Sequence, residues 1–179
     1  TAVVLSARYR GTYFDDWPTA LWHGLFDAVM AFNNAGFSLN SDSLGLYAGD
    51  GLVILPISAA VFIGAVGFPV LAELFQGWRR PSKWTIHTRL TVWGSFLLLV
   101  VGAVAFLALE WQNPTTIGTE GVGHKIVTSV EGSVMPRSGG LASFDWGATR
   151  PETLNLGVIL MFIGGGSAGT AGGIMRCAP

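Results

Sequence analysis

Hydrophobic and polar positions divide the chain into three long uncharged runs and two shorter apolar segments. Between Asp50 and Glu73 lie 22 uncharged residues, between Arg89 and Glu110 lie 20, and between Glu152 and Arg176 lie 23. At about 1.5 Å per residue, each run reaches about 30 Å as a helix, the thickness of the hydrocarbon core of a bilayer. The pattern predicts spans over 51–75, 90–110 and 153–176. Three such runs in 179 residues fit lipid surroundings better than the core of a soluble domain.

The two shorter segments predict helices over 18–32 and 119–134. Asp15 or Asp16 can cap the first, and Pro18 suits its first turn. Leu21, Leu25, Phe26 and Val29 share one face of it, as Ile126, Val127 and Val130 do in the second. Each helix reaches only about 22 Å, too short to cross. Each ends in a glycine-containing polar turn, NNAGFS or PRSGGLA, and then a span follows. A short helix that descends and returns as extended chain is a re-entrant loop, which survives at membrane depth only against water or protein. Aligning Gly36 with Gly140, an offset of 140 − 36 = 104, lays short helix on short helix and span on span. The expected fold is therefore an all-α integral membrane protein built from tandem helix–pore loop–helix repeats that point the same way.

Charge sets the orientation. Arg79, Arg80, Lys83 and Arg89 sit between the first two spans without an acid, so residues 77–89 read as a cytoplasmic loop. Asp15, Asp16, Asp42, Asp50, Glu110 and Glu120 fall on the other side, together with Lys125, Arg137 and Arg150. Trp17, Trp22, Trp78, Trp84, Trp111 and Trp146 lie near the expected interfaces. Composition agrees: half the residues are hydrophobic, 12% are charged, and mean hydropathy is +0.51. A net charge of −1 gives no footing for nucleic acid. Cys177 is the single cysteine, so no internal disulfide forms. Thr1 at the start, the apolar TAVVLSARYR and the final GGIMRCAP read as an internal fragment of a longer chain.

A cation that sheds its water needs oxygen ligands, and backbone carbonyls supply them where glycine lets the chain turn. The candidates are Asn34, Ala35, Gly36 and Phe37 in the first turn (33–38), and Ser138, Gly139, Gly140 and Leu141 in the second (136–142). The C-terminal dipole of each short helix favours positive charge there. Neither turn carries a carboxylate, which points to a monovalent ion. An ordinary C-cap glycine is the bland alternative for either turn alone. Asn33 and Asn34 brace the first turn or simply close it. Arg137 beside the second turn is expected to face away from the ion and pair with Glu131 or Asp145.

The third run is interrupted by Gly164, Gly165, Gly166, Ser167, Ala168, Gly169, Thr170, Ala171, Gly172 and Gly173. So glycine-rich a stretch makes a poor helix. It reads either as a gate or as close helix packing of the GxxxG kind through Gly165 and Gly169. Gly164, Gly166 and Gly169 also match G-x-G-x-x-G, but they follow an apolar span rather than a strand, which rejects dinucleotide binding. His23, His87 and His124 lack metal-ligand spacing. No nucleophile–base set is evident, so an enzyme is not expected.

At ALWHGLFDAVMAFNNAGFSL, GAVGFPVLAEL, SVMPRSGGL and LMFIGGGSAGTAGGI, the chain resembles the Trk/Ktr/HKT superfamily of potassium transporters. The resemblance implies a potassium-channel-like fold of four repeats around one pore, each giving one filter segment with a key glycine. Residues 1–76 would be most of the second repeat and residues 90–179 most of the third. Potassium would be the transported ion, with no cofactor in this chain. The implied partners are lipid, the remaining repeats, a second copy in a homodimer and a cytosolic nucleotide-binding regulatory subunit of the RCK/KTN type. The implied location is the plasma membrane, the inner membrane in bacteria, as a multi-pass protein. The third filter of the family usually reads close to PRTAGFN, and here Gly139, Leu141 and Ala142 replace Ala, Phe and Asn. That glycine step is expected to be more flexible and less selective. A lysine usually follows GGI, where this chain has Met175 and then Arg176, so Arg176 is the candidate basic residue of the gate. A sodium or mixed sodium/potassium transporter and a non-conducting scaffold are the competing readings. Many sodium-coupled carriers with broken helices have inverted repeats, unlike the parallel copies here.

Overall fold

The structure is a computed structural model that describes residues 1–77, 84–165 and 172, and among these every regular element is helical. Helix α1 (Ala2–Thr12) leads into α2 (Trp17–Phe32). Asp16 caps α2, its carboxylate accepting the Thr19 N–H at 2.9 Å, and Pro18 sits in the first turn, where no N–H is needed. A loop with one 3-10 turn (Gly45–Tyr47) reaches α3 (Gly51–Val66), which Asp50 caps through the Leu52 N–H at 3.0 Å. Then follow α4 (Phe68–Gly77), α5 (Ile86–Glu110), α6 (Val122–Val134) with a 3-10 turn at Met135–Arg137, and α7 (Pro151–Ile163).

The uncharged run read as a single span over 51–75 is two helices, α3 and α4, which meet at 99°. Gly67 turns the corner with φ 98° and ψ 149°. Pro69 has no N–H to offer the Ala65 carbonyl four residues back, so α3 cannot continue. Helix α4 restarts with Leu71 donating to the Gly67 carbonyl at 3.0 Å. Among the described residues, α5 is the one unbroken helix long and apolar enough to cross a bilayer, and the bent α3–α4 pair is the second candidate. It starts at Ile86, four residues before the run that predicts it. The third run gives a helix of only 13 residues, which stops at Gly164 with φ 71°. The remainder of that expected span, 166–171 and 173–176, lies outside the described residues, as do Trp78, Arg79, Arg80 and Lys83 of the expected cytoplasmic loop.

One buried cluster joins the two short helices. Leu5 and Tyr9 of α1, Ala31 of α2, Val53, Ile57 and Val61 of α3, and Val134, Met135 and Leu141 from the α6 region all belong to it. Small residues allow the crossings. A Cβ on Gly64 of α3 would stand 1.9 Å from the Phe32 carbonyl oxygen at the end of α2. Glu110, fully buried at the end of α5, accepts from the Asn113 side chain, the Thr116 hydroxyl, the Arg150 N–H and the Thr153 hydroxyl. These bonds tie the start of α7 to the end of α5.

The outside is apolar. Phe75 is 88% exposed, Trp93 67% and Phe162 66%, and only 17% of the most apolar stretch of α5 is buried within the chain. Each such side chain left in water would forgo about 1.5–3 kcal/mol of burial. Lipid and further protein are the surroundings that suit this surface.

Candidate functional site

The two glycine turns, 104 residues apart in sequence, meet in space. Gly36 has φ 71° and Gly140 φ 68°. Both values lie in the left-handed region, where a Cβ is penalised. A Cβ on Gly140 would stand 3.0 Å from the Gly36 Cα, and one on Gly36 would stand 3.4 Å from the Gly140 Cα. Two residues earlier in each turn a second positive φ recurs, 52° at Asn34 and 146° at Ser138. One backbone bond corresponds at the same offset, Asn34 to Ala31 and Ser138 to Met135, while the second differs: Ala35 donates back to Met30, and Gly140 to Met135. Beyond these bonds both chains run on without regular structure.

Phe37 is 67% exposed, whereas Leu141 is buried in the core cluster. Gly139 is also buried, and a Cβ there would stand 2.7 Å from Met135 Sδ and 3.0 Å from Val61 Cγ1. Packing therefore confines the glycine step expected to be loose. Gly172 meets the second turn: its N–H donates to the Ser138 hydroxyl at 3.3 Å, and its carbonyl accepts from the Gly165 N–H at 3.0 Å. Gly166, Ser167, Ala168, Gly169, Thr170, Ala171, Gly173 and Arg176 lie outside the described residues.

Arg137 turns away from the glycines, but not to a carboxylate. Its guanidinium donates to the Ser95 carbonyl of α5 at 3.1 Å and lies 5.5 Å from the centre of the Phe62 ring. The expected pairing with Glu131 or Asp145 is not formed. Glu131 is occupied by Ser143, accepting both its N–H (2.6 Å) and its hydroxyl. Asp145 caps the turn Trp146–Ala148 through Gly147.

Two buried acids sit on the short helices, Glu131, expected to pair with Arg137, and Asp27, for which no role was expected. Asp27 and Glu131 are themselves 104 residues apart, and both are buried, at 3% and 0% exposure. Asp27 accepts the Tyr9 hydroxyl at 2.7 Å, while Tyr9 stacks on Tyr47 at 4.7 Å. The signal was present as an acid on each apolar short helix. Past the glycines the two segments bond directly: Ala142 donates its N–H to the Ser43 hydroxyl at 3.1 Å, and its carbonyl accepts from Leu44 at 2.9 Å. An open cavity of about 650 Å³ lies there, lined by Ser41, Asp42 and Ser43 on one side and Ala142, Ser143 and Asp145 on the other.

At the same end, Asp50 accepts from Arg8 Nε at 2.7 Å and the Tyr13 hydroxyl at 3.0 Å. Burial pushes the Asp50 carboxyl up, but the bonds from Arg8, Tyr13 and Leu52 outweigh it and hold it below the usual carboxylate range. Burial, followed by the bond to Asp50, pushes the Tyr13 hydroxyl up to about 12. His23 rests on the Phe14 ring at 4.4 Å, and His124 bonds Glu120 at 3.0 Å.

The TrkH family model, described as a cation transport protein, matches residues 3–178. The chain belongs to this family. The Ktr system potassium uptake protein B of Bacillus subtilis is 39% identical to this TrkH-family chain over 173 residues, covering 97% of the chain and 38% of that protein. Its counterpart of the same name in Vibrio alginolyticus is 36% identical over 167 residues, covering 93% and 37% respectively. The potassium/sodium uptake protein NtpJ of Enterococcus hirae is 34% identical over 173 residues, covering 97% and 38%. The TrkH-family chain thus spans under two-fifths of the length of these relatives.

Proposed function

We propose that this chain supplies two neighbouring quadrants of a gated, channel-like pore for monovalent cations, with potassium as the main cargo taken up across the plasma membrane. The observation that carries the reading is the approach of Gly36 to Gly140, each left-handed and each following a short helix. Carbonyls of Asn34, Ala35, Gly36 and Phe37, and of Ser138, Gly139, Gly140 and Leu141, would replace the hydration shell of the ion. Two further quadrants come from the remaining repeats of the full-length protein. The stretch 164–173 is the gate in this reading, supported by the bond from Gly172 to Ser138, with Arg176 as its basic residue. The full-length protein is multi-pass, dimeric and paired with a cytosolic nucleotide-binding subunit. The names of the two Ktr relatives refer to a system, which favours such a partner.

In a strain that lacks its own potassium uptake, Gly36→Asp in the full-length protein is expected to abolish growth at limiting potassium. Normal growth at a normal membrane level overturns the filter assignment. A mixed sodium/potassium cargo is the second reading, favoured by the name of the Enterococcus hirae relative. Parallel rubidium and sodium tracer flux into liposomes separates the two. A scaffold would show no flux and would tolerate Gly36→Ala.

A further inference from the structure

Glu131 is a fully buried acid on α6, eight residues before Gly139 and unable to reach solvent. Both its oxygens are used on one residue beyond the filter, with the Ser143 N–H at 2.6 Å on Oε1 and the Ser143 hydroxyl on Oε2. A carboxylate that accepts two donors from one residue fixes that residue in orientation as well as position. Ser143 is bonded in sequence to Ala142, which in turn exchanges two hydrogen bonds with Ser43 and Leu44 of the other copy. The chain of contacts from Glu131 through Ser143 and Ala142 to Ser43 and Leu44 is continuous.

We infer that Glu131 is a positioning residue for ion discrimination: it sets the outer end of the second filter segment and, through Ala142, the register of that segment against the first. The inference rests on the pore reading given above. Between Arg137, held by the Ser95 carbonyl, and Ser143, held by Glu131, the second turn has both ends anchored to helices. The five residues between the anchors, 138–142, are held further by bonds to Met135, Ser43 and Leu44, so their carbonyls have little freedom to adapt to a smaller ion. The first copy lacks this brace, because the matching acid, Asp27, is committed to Tyr9 of α1. Its outer segment is held by the Ser38 hydroxyl, which donates to the Ser43 carbonyl at 3.0 Å and accepts the Asn40 N–H at 3.1 Å, and by Ala142.

The experiment uses the full-length protein in liposomes, with rubidium and sodium tracers, and the variants Glu131→Ala, Glu131→Gln and Ser143→Ala. Glutamine keeps the length and can still accept the Ser143 N–H and meet its hydroxyl. The expected result is a rubidium-over-sodium preference lowered about tenfold in Glu131→Ala, the equivalent of one charged hydrogen bond. A smaller loss is expected in Ser143→Ala, and near-complete retention in Glu131→Gln. A second readout does not need transport. In a Ser43→Cys/Ala142→Cys background with Cys177 replaced by serine, oxidative cross-linking within the chain is expected to fall when Glu131→Ala is added and to persist with Glu131→Gln. Unchanged preference or unchanged cross-linking in Glu131→Ala overturns the inference. If the unaltered protein carries no rubidium at all, the pore reading falls instead, and cross-linking still decides whether Glu131 sets the register.

Discussion

The Cα of Gly36 lies where a Cβ on Gly140 would come within 3.0 Å of it. Both residues also hold a backbone that disfavours any side chain, at about 1–2 kcal/mol for the left-handed region alone. Gly140→Ala is therefore expected to cost more uptake than Gly36→Ala, whose Cβ keeps a 3.4 Å separation. Initial rates of rubidium uptake at equal membrane levels check the order. Equal tolerance of both alanines would count against a close approach of the two turns.

Asp50 gives a pH dependence with a defined sign. Its carboxyl is held below the ordinary range in the folded protein, so the stability it contributes is present above the unfolded value near 4 and is lost as pH falls through the folded value. Melting of the detergent-solubilised protein is expected to drop on acidification below about pH 4. The drop should be shallower in Asp50→Asn. Tyr13 acts at the other end. Its hydroxyl is raised to about 12, so the stability it contributes by donating to Asp50 is fully present below about pH 10 and is lost as pH climbs from there through about 12. Tyr13→Phe is expected to flatten the alkaline limb.

The crossing of α2 and α3 has no room at Gly64. Gly64→Ala puts a methyl 1.9 Å from the Phe32 carbonyl oxygen and is expected to destabilise the protein by about 1–3 kcal/mol or more. Gly11→Ala on α1, which meets nothing within 4 Å, is expected to stabilise by up to about 1 kcal/mol. Thermal melting of the two variants side by side checks the contrast.

Glu110 holds the end of α5 to the start of α7 through four polar partners. Glu110→Ala strips them all and leaves donors such as the Arg150 N–H without an acceptor, at about 1–3 kcal/mol for each buried one. Glu110→Gln is expected to keep part of this. Protease resistance of the loop over 111–121 is a direct readout.

Much of the local structure was written in short signals. Asp16 and Pro18 mark the start of α2, and the glycines at 36 and 140 stand where the backbone turns left-handed. All-helical character follows from the runs themselves. The failures have physical reasons. Hydropathy alone cannot see a corner, so residues 51–75 read as one helix. Yet Gly67 two residues before Pro69 carried the break. Sequence proximity suggested Glu131 for Arg137, but a buried guanidinium can bond a helix carbonyl, and the acid had a closer use. Asp27 went unread, as did its 104-residue offset from Glu131, because an acid in an apolar helix looks like an exception until its partner appears.

The bonds between Ala142 and the Ser43–Leu44 pair join positions about a hundred residues apart into one mechanical unit. Such a unit is inherited whole. Any residue but proline at 142 supplies the same N–H and carbonyl, so across related sequences the hydroxyl at 43 and the acid at 131 should be kept together, while the side chain at 142 and the tips of the outer loops drift alone.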